Sequence, residues 1–310
     1  MQRDSVDGVV WCASRDLSAE VVLNVHLVVG PEYAVFVDSG IAEMHDELVA
    51  LIGRAGLDRS AVRLILNTHS HHDHIGCNGR LKGVLGCLVA APQAYANWHS
   101  DFDNQYKEFA NAHPDIIEDS PQQRRGILST LDSPHHVDLH LTERSVVSLG
   151  AGVELSCLEL PGHMSAEVGF LEHKTGVLLL GDVLSGTKWS FFHGYVNVPQ
   201  YRETLARLSH IIRSGAVSEV HAGHYPVLGP PGCEEVLGAI GRLMDDVEGE
   251  IISIVADQGS ATRATIWACL CDNMGKARDF RALNVVNAHV EDLVDRRVLV
   301  EEGPERFCRA

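Results

Sequence analysis

Six consecutive residues, His69-Ser70-His71-His72-Asp73-His74, hold four side chains that bind metals well: His69, His71, Asp73 and His74. They follow the apolar run Val62 to Leu66, which reads as a buried strand. On an extended turn leaving a strand, these spacings let the groups converge on two adjacent points. One cation would take His69 and His71, and a second Asp73 and His74. Neutral imidazole nitrogens and a carboxylate oxygen suit zinc, and also manganese or iron. The alternative is a solvated histidine-rich loop. That alternative crowds four titratable groups at a strand end with no counter-ion, which is unfavourable. Further polar residues recur in glycine-bearing turns at strand ends: Pro161-Gly162-His163, Gly181-Asp182, and Gly223-His224, with His221 two residues before that glycine.

Elements that could place these residues at one edge follow from periodicity. Strands are expected at 21–29, 33–37, 62–66, 87–91, 137–141, 153–160, 168–172, 177–180 and 218–221. Met44, Leu48 and Ile52 sit at i, i+4 and i+8, predicting a helix over 42–56. Another helix is expected over 200–213. Residues 92–135 interrupt the rhythm. Tyr95, Trp98, Phe102, Tyr106 and Phe109 recur there every three or four residues, as in the packed stripe of an inserted helix or a lid over a pocket.

The stretch from Pro226 to Gly232 is turn-rich and reads as a boundary. It divides a catalytic domain, 1–232, from a C-terminal helical domain, 233–310. Helices are expected there over 234–256, 262–271 and 283–296, then a β tail. That order is winged-helix-like. From Gly241 on, nine Lys and Arg face thirteen Asp and Glu. A DNA-reading wing is normally basic, so a packing, dimerising or pocket-covering role is expected instead.

The whole chain has 310 residues, 42 Asp plus Glu against 25 Lys plus Arg, 18 His, and a formal net charge of −17. The acidic balance argues against a nucleic-acid partner. The 45% hydrophobic share excludes disorder over most of the length. Eight scattered cysteines form no CxxC pair and read as reduced thiols. Residues 1–14 carry no apolar leader core, and no run approaches the ~20 residues of a membrane span. A soluble, cytoplasmic protein is the expectation, with the C-terminal part as a candidate homodimer surface.

Five ordered blocks now carry a resemblance: Val35-Phe36-Val37-Asp38-Ser39-Gly40, Thr68 to Gly76, Pro161-Gly162-His163, Leu180-Gly181-Asp182 and Ala222-Gly223-His224. Over about residues 6–230 the chain resembles the metallo-β-lactamase superfamily. The resemblance implies an α/β fold, an αββα sandwich with metals at one edge between two sheets. It implies His69, His71 and His163 on a first metal, Asp73, His74 and His224 on a second, and Asp182 bridging them. Asp38 would support the metal loop from behind, and His72 would not bind. His221 competes with His224, which the family's glycine-then-ligand order favours. The C-terminal part is similar to the winged-helix-like domain of one branch, with His289 in the place of that branch's Ala-His-Leu histidine and read as a packed helix residue.

Two divalent cations, zinc foremost, would then activate water against a carbonyl carbon or a phosphorus, with Asp73 and Asp182 as the catalytic carboxylates. The implied activity is hydrolysis of a small-molecule or acyl-carrier-bound ester, thioester, lactone or amide. Iron dioxygenase chemistry and phosphodiester cleavage are the alternatives, and loss of function to a regulator is the weakest. Trp189, Phe191, Phe192, His193 and Tyr195 follow the Asp182 turn. They either wall a substrate pocket, with Trp189, His193 and Tyr195 touching substrate, or pack under the insert.

Overall fold

The computed structural model describes residues 5–310. The first four residues, part of the stretch searched for a leader, lie outside them. Two sheets stack face to face. The first contains β1 (Ser5–Val6), β2 (Val10–Asp16), β3 (Val22–Val29), β4 (Ala34–Val37), β5 (Val62–Leu66), β6 (Leu88–Pro92) and β7 (Leu139–Leu141), ordered as in sequence. It is antiparallel from β1 to β4 and parallel from β4 to β7. The second contains β8 (Val146–Ser148), β9 (Glu154–Glu159), β10 (Val168–Glu172), β11 (Val177–Leu180), β12 (Glu219–Ala222) and β13 (Tyr225–Leu228), in the order β13-β12-β11-β10-β9-β8.

Strand alternation decides what each face meets. In β4, Val35 and Val37 point between the sheets, with Leu64, Leu66, Phe170 and Leu179. Ala34 and Phe36 point outward, under Leu48, Leu51 and Ile52 of α1 (His45–Arg54). Residues 42–44, expected as that helix's first turn, form a tighter 3-10 turn. The outer face of the second sheet, with Leu178, Leu180 and Val220, lies under α6 (Val198–Arg213) and α7 (Pro230–Gln258). The result is the helix–sheet–sheet–helix sandwich that the resemblance implied.

Between β5 and β6 lie α2 (His72–Ile75) and α3 (Asn78–Leu85), and between β6 and β7 lie α4 (Phe102–Phe109) and α5 (Pro121–Leu128). The last two form the insert. The chain ends in β14 (Ser260–Thr262), α8 (Arg263–Met274), α9 (Phe280–Asp295), β15 (Leu299–Gly303) and β16 (Arg306–Arg309), with strand order β14-β16-β15. Several strands escaped periodicity, notably β2, β8, β13 and β14. They are short or half-exposed and present no apolar run.

The turn-rich stretch at 226–232 carries most of β13 and the first turn of α7, where Pro230 and Pro231 need no N–H partner. Beyond it, Cys233, Leu237, Ile240 and Met244 of α7 join Tyr201, Leu205 and Leu208 of α6 in the apolar cluster that continues to Leu270, Val286 and Phe307. Among the described residues, no helix is long and apolar enough to cross a membrane.

Candidate metal centre

The seven residues implied as metal ligands converge at one edge of the sandwich, all at strand ends. His69, His71, Asp73 and His74 lie just beyond β5, and His163 follows β9. Asp182 follows β11 and His224 follows β12. Two glycines make the approach possible. Gly162 has φ 142°, and a Cβ there would lie 2.5 Å from Tyr201 Cα. A Cβ on Gly223 would lie 2.7 Å from His74 Cε1 and 3.1 Å from Asp182 Oδ1.

Four of the five imidazoles are aimed by the nitrogen that faces away from the centre. His163 Nδ1 donates to the Gly194 carbonyl and His224 Nδ1 to the Val22 carbonyl, both at 2.8 Å. His74 Nδ1 donates to Asp38 Oδ2 at 2.8 Å. Asp38 adopts φ 61° and also receives Thr68 N and Thr68 Oγ1, both at 2.8 Å. Thr68 Oγ1 in turn accepts from His69 Nδ1 at 3.0 Å. In the neutral ring, these outward bonds select the tautomer that leaves Nε2 bare toward the interior.

The interior atoms form two groups. His69 Nε2 and His163 Nε2 lie 3.0 and 3.1 Å from His71 Nδ1. His163 Nε2 and His69 Nε2 lie 3.4 and 3.8 Å from Asp182 Oδ2. On the other side, Asp182 Oδ1 lies 3.0 Å from His74 Nε2 and 3.5 Å from His224 Nε2, which is 3.2 Å from Asp73 Oδ2. The two oxygens of Asp182 therefore face different groups. The donor atoms within each group all lie within 4.8 Å of one another.

This arrangement fits divalent cations on its own chemistry. With their outer nitrogens committed as donors, His69 and His163 both point lone pairs at His71 Nδ1, which carries at most one proton and so cannot satisfy both. His74 Nε2 and Asp182 Oδ1 are buried, and despite their 3.0 Å approach neither has a hydrogen-bond partner, because the contact lies off hydrogen-bond geometry. Burial, reinforced by neighbouring imidazoles, holds His69 and His71 well below the usual histidine range, and burial pushes His163 down to about 4. Burial opposes charge on His74 and His224 too. There the Asp182 carboxylate, with Asp38 and Asp73 respectively, outweighs it and raises both. Burial works against ionisation of Asp182 and Asp73, but the surrounding imidazoles hold both well below the carboxylate range.

The remaining expected residues divide. His72 bonds Thr130 Oγ1 at 2.8 Å and borders the cavity. His221 turns away to Glu219 and His26. Trp189 and His193 line a cavity of about 310 Å³ in front of the donor groups, with Leu17, Phe109, Phe191 and Phe280. His193 goes further than a wall residue, for its Nε2 lies 2.9 Å from Asp182 Oδ2. Tyr195 borders a smaller cavity, and its hydroxyl bonds His289 Nε2 at 2.7 Å, so His289 is the packed helix residue that was expected.

Sequence reading missed two supports. Glu167 is buried and accepts Asp182 N at 2.6 Å and Val183 N at 3.1 Å. Burial, then the Asp182 charge, raises its pKa well above the usual range. A glutamate opening the apolar run of β10 was the available signal. The second is a buried chain from the insert. His135 Nε2 bonds His99 Nδ1, and His99 Nε2 bonds Ser70 Oγ, both at 3.0 Å, while Gln105 Nε2 donates to the Ser70 carbonyl.

Comparisons with known proteins give the chain's relatives. The chain is 25% identical to the acyl-coenzyme A thioesterase MBLAC2 of Gallus gallus over 226 residues, covering 72% of this chain and 79% of that one. It is 28% identical to the hydroxyacylglutathione hydrolase GloC of Haemophilus influenzae over 124 residues, 40% of this chain and 50% of that one. The fold matches a metallo-beta-lactamase family protein of Thermus thermophilus with TM-score 0.76 and 20% identity, covering 98% of this chain and 99% of that one. A beta-lactamase domain protein of Burkholderia ambifaria matches with TM-score 0.72 and 20% identity, over 98% and 94%. These two likenesses extend through the C-terminal elements. A model of the metallo-beta-lactamase superfamily matches residues 20–224, the span that contains every donor described above, and the chain belongs to that superfamily of hydrolase-bearing folds.

Proposed function

We propose that the protein is a binuclear, zinc-dependent hydrolase of thioesters built on a small anionic thiol. The observation that carries this reading is the Asp182 carboxylate, shared between two donor groups on the floor of an aromatic-walled cavity. Two relatives, an acyl-coenzyme A thioesterase and a hydroxyacylglutathione hydrolase, support the substrate class.

His69, His71 and His163 would hold one cation, Asp73, His74 and His224 the other, and Asp182 both; when bound, they lower the pKa of a water from about 15.7 toward ~7 and polarise the scissile carbonyl. Asp73 and Asp182 are ionised, so each can orient that water and accept its proton. His193, donating Nε2–H to Asp182 Oδ2, fixes the carboxylate on the side that faces substrate. Phe109, Trp189, Phe191 and Phe280 exclude bulk water, which strengthens every charge interaction on the cavity floor.

We read residues 1–232 as the catalytic domain, with its insert at 92–135, and 233–310 as a winged-helix-like domain. The order α8, α9 and the β15–β16 hairpin, with β14 pairing to it, supports that reading.

Metal analysis of the purified protein, with a panel of thioester, lactone, β-lactam and phosphodiester substrates, tests this. About two cations per chain and turnover confined to thioesters are expected. One cation or none after reconstitution overturns the binuclear centre. The His71→Ala variant should lose turnover while keeping its far-ultraviolet spectrum, and full activity in it refutes the site.

A further inference from the structure

The cavity before the donor groups is walled by parts of the chain that lie far apart in sequence. The turn between β2 and β3 contributes Leu17 and Val21, the insert Phe109, and the start of α9 Phe280 and Arg281. A smaller cavity of about 120 Å³ lies beside it, where His71 and His163 meet Trp98, Tyr195 and Val196. Arg281 borders both. Among the described residues it is the only lysine or arginine lining either cavity.

Its guanidinium is held rather than loose. The carbon centre lies 3.9 Å from the Phe191 ring centroid, so one face is covered. Asp279 Oδ2 accepts from Nε at 2.9 Å and from Nη2. Asp279 is itself anchored, since its Oδ1 accepts Ala282 N at the start of α9. Nη1 makes no hydrogen bond among the described residues. The backbone of Arg281 packs on Gly194, where a Cβ would lie 3.5 Å from Arg281 Cβ, and the Gly194 carbonyl is the acceptor that aims His163. The backbone that carries the cation is therefore one residue removed from the donor groups, and the guanidinium lines their cavity with one face covered and one amino end without a partner among the described residues.

Charge gives this placement a purpose. The chain carries a net −17, and its field opposes an anionic ligand. A planar guanidinium with free N–H groups matches phosphate or carboxylate oxygens in two-point geometry. We propose that Arg281 binds the anionic thiol half of the substrate, a phosphate or carboxylate oxygen, so that the C-terminal segment sets which thioesters enter. This rests on the thioester reading above. Asp279 offsets part of the charge, and its second role is to hold the fork toward the cavity.

The test uses the full-length, metal-loaded protein and one acyl group carried on three thiols: coenzyme A, glutathione and the neutral N-acetylcysteamine. In Arg281→Gln, KM for an anionic thioester should rise about ten- to hundredfold, as loss of a charge-assisted hydrogen bond implies. Its kcat should fall less than about threefold, and the neutral thioester should lose markedly less than the anionic one. Arg281→Lys should recover part of the loss, because charge returns without the fork. Direct binding of S-methyl coenzyme A and S-methylglutathione, followed by calorimetry, gives a readout that needs no turnover. The ligand that weakens by the same factor identifies phosphate or carboxylate as the recognised group. Equal losses on all three thioesters overturn the proposal, as does absent or unchanged binding of both S-methyl ligands. If the wild type hydrolyses none of the thioesters, the thioester reading fails, and calorimetry still decides the role of Arg281.

Discussion

Nearly every histidine of the centre is committed twice, once outward to a fixed acceptor and once inward. That double commitment makes the outer partners as consequential as the donors. Glu167 tests this at one remove from the donors, through the backbone of Asp182. Because a glutamine side-chain oxygen can accept the same two backbone N–H groups, Glu167→Gln should keep metal affinity within about threefold. Glu167→Ala should weaken it about ten- to hundredfold, measured by chelator competition; equal affinities in the two variants would show that its hydrogen bonds do not matter. His289 and His99 carry a separate, pH-dependent consequence. Burial pushes both down to about 3, against an unfolded value near 6.5. The unfolded chain therefore binds more protons between these values. The stability from neutral burial is complete above about pH 6.5 and declines as pH falls toward 3, by roughly 1 kcal/mol per pH unit for each group. Urea unfolding of His289→Gln should show a correspondingly shallower decline between pH 6.5 and 4.5, and parallel curves would contradict this assignment.

At the scale of elements, the centre depends on backbones approaching closely where side chains would collide. The loop after β5 passes Gly76, where a Cβ would meet the Thr130 carbonyl at 2.3 Å and the Gly40 carbonyl at 2.6 Å. Both obstacles are backbone, so neither can swing aside. Gly76→Ala should destabilise the protein by about 2–3 kcal/mol, as overpacking does. Gly83, on the exposed side of α3, has nothing within 4 Å of its would-be Cβ. Gly83→Ala should stabilise by about 0.5–1 kcal/mol through helix propensity. Thermal melts of the pair separate a packing constraint from a propensity effect, and a Gly76→Ala protein as stable as wild type would remove the constraint. The ordered blocks around these turns were legible because each is a short stretch in which a strand ends, a glycine turns the chain and a ligand follows. The contacts of Asp182 with Glu167 and His193 were not, because loops meeting across the sheet edge decide them.

The whole molecule adds a constraint that the domain division hides. Leu205, Leu208 and Ile212 of α6 share one apolar cluster with Leu237, Ile240 and Met244 of α7. Removing residues 233–310 would expose that face of the sandwich. The fragment 1–232 should therefore be insoluble or bind metal weakly, and a soluble, monomeric fragment with full metal content would contradict this. The shared core, with the bond between Tyr195 and His289, also holds Arg281 in a fixed position against residues 1–232, as a specificity determinant requires. Chelation should lower the melting temperature, and added zinc should restore it, because a cation bound only by the folded state stabilises it by mass action.

The amino-acid sequence by itself determined the types and order of the candidate ligands and the strands that deliver them. Those features are local: a short apolar run, a turn and a histidine or aspartate beside it. The sandwich itself was implied by the family resemblance, and the structure shows how β4 serves it, with Val35 and Val37 between the sheets and Ala34 and Phe36 under the outer helix. Only the tertiary structure decided which nitrogen each histidine turns inward, that His224 and not His221 joins the cluster, and that Asp182 faces both groups. It alone brought Arg281 to the cavity. Those outcomes depend on pairings between residues tens to hundreds of positions apart, and packing, not spacing along the chain, selects them.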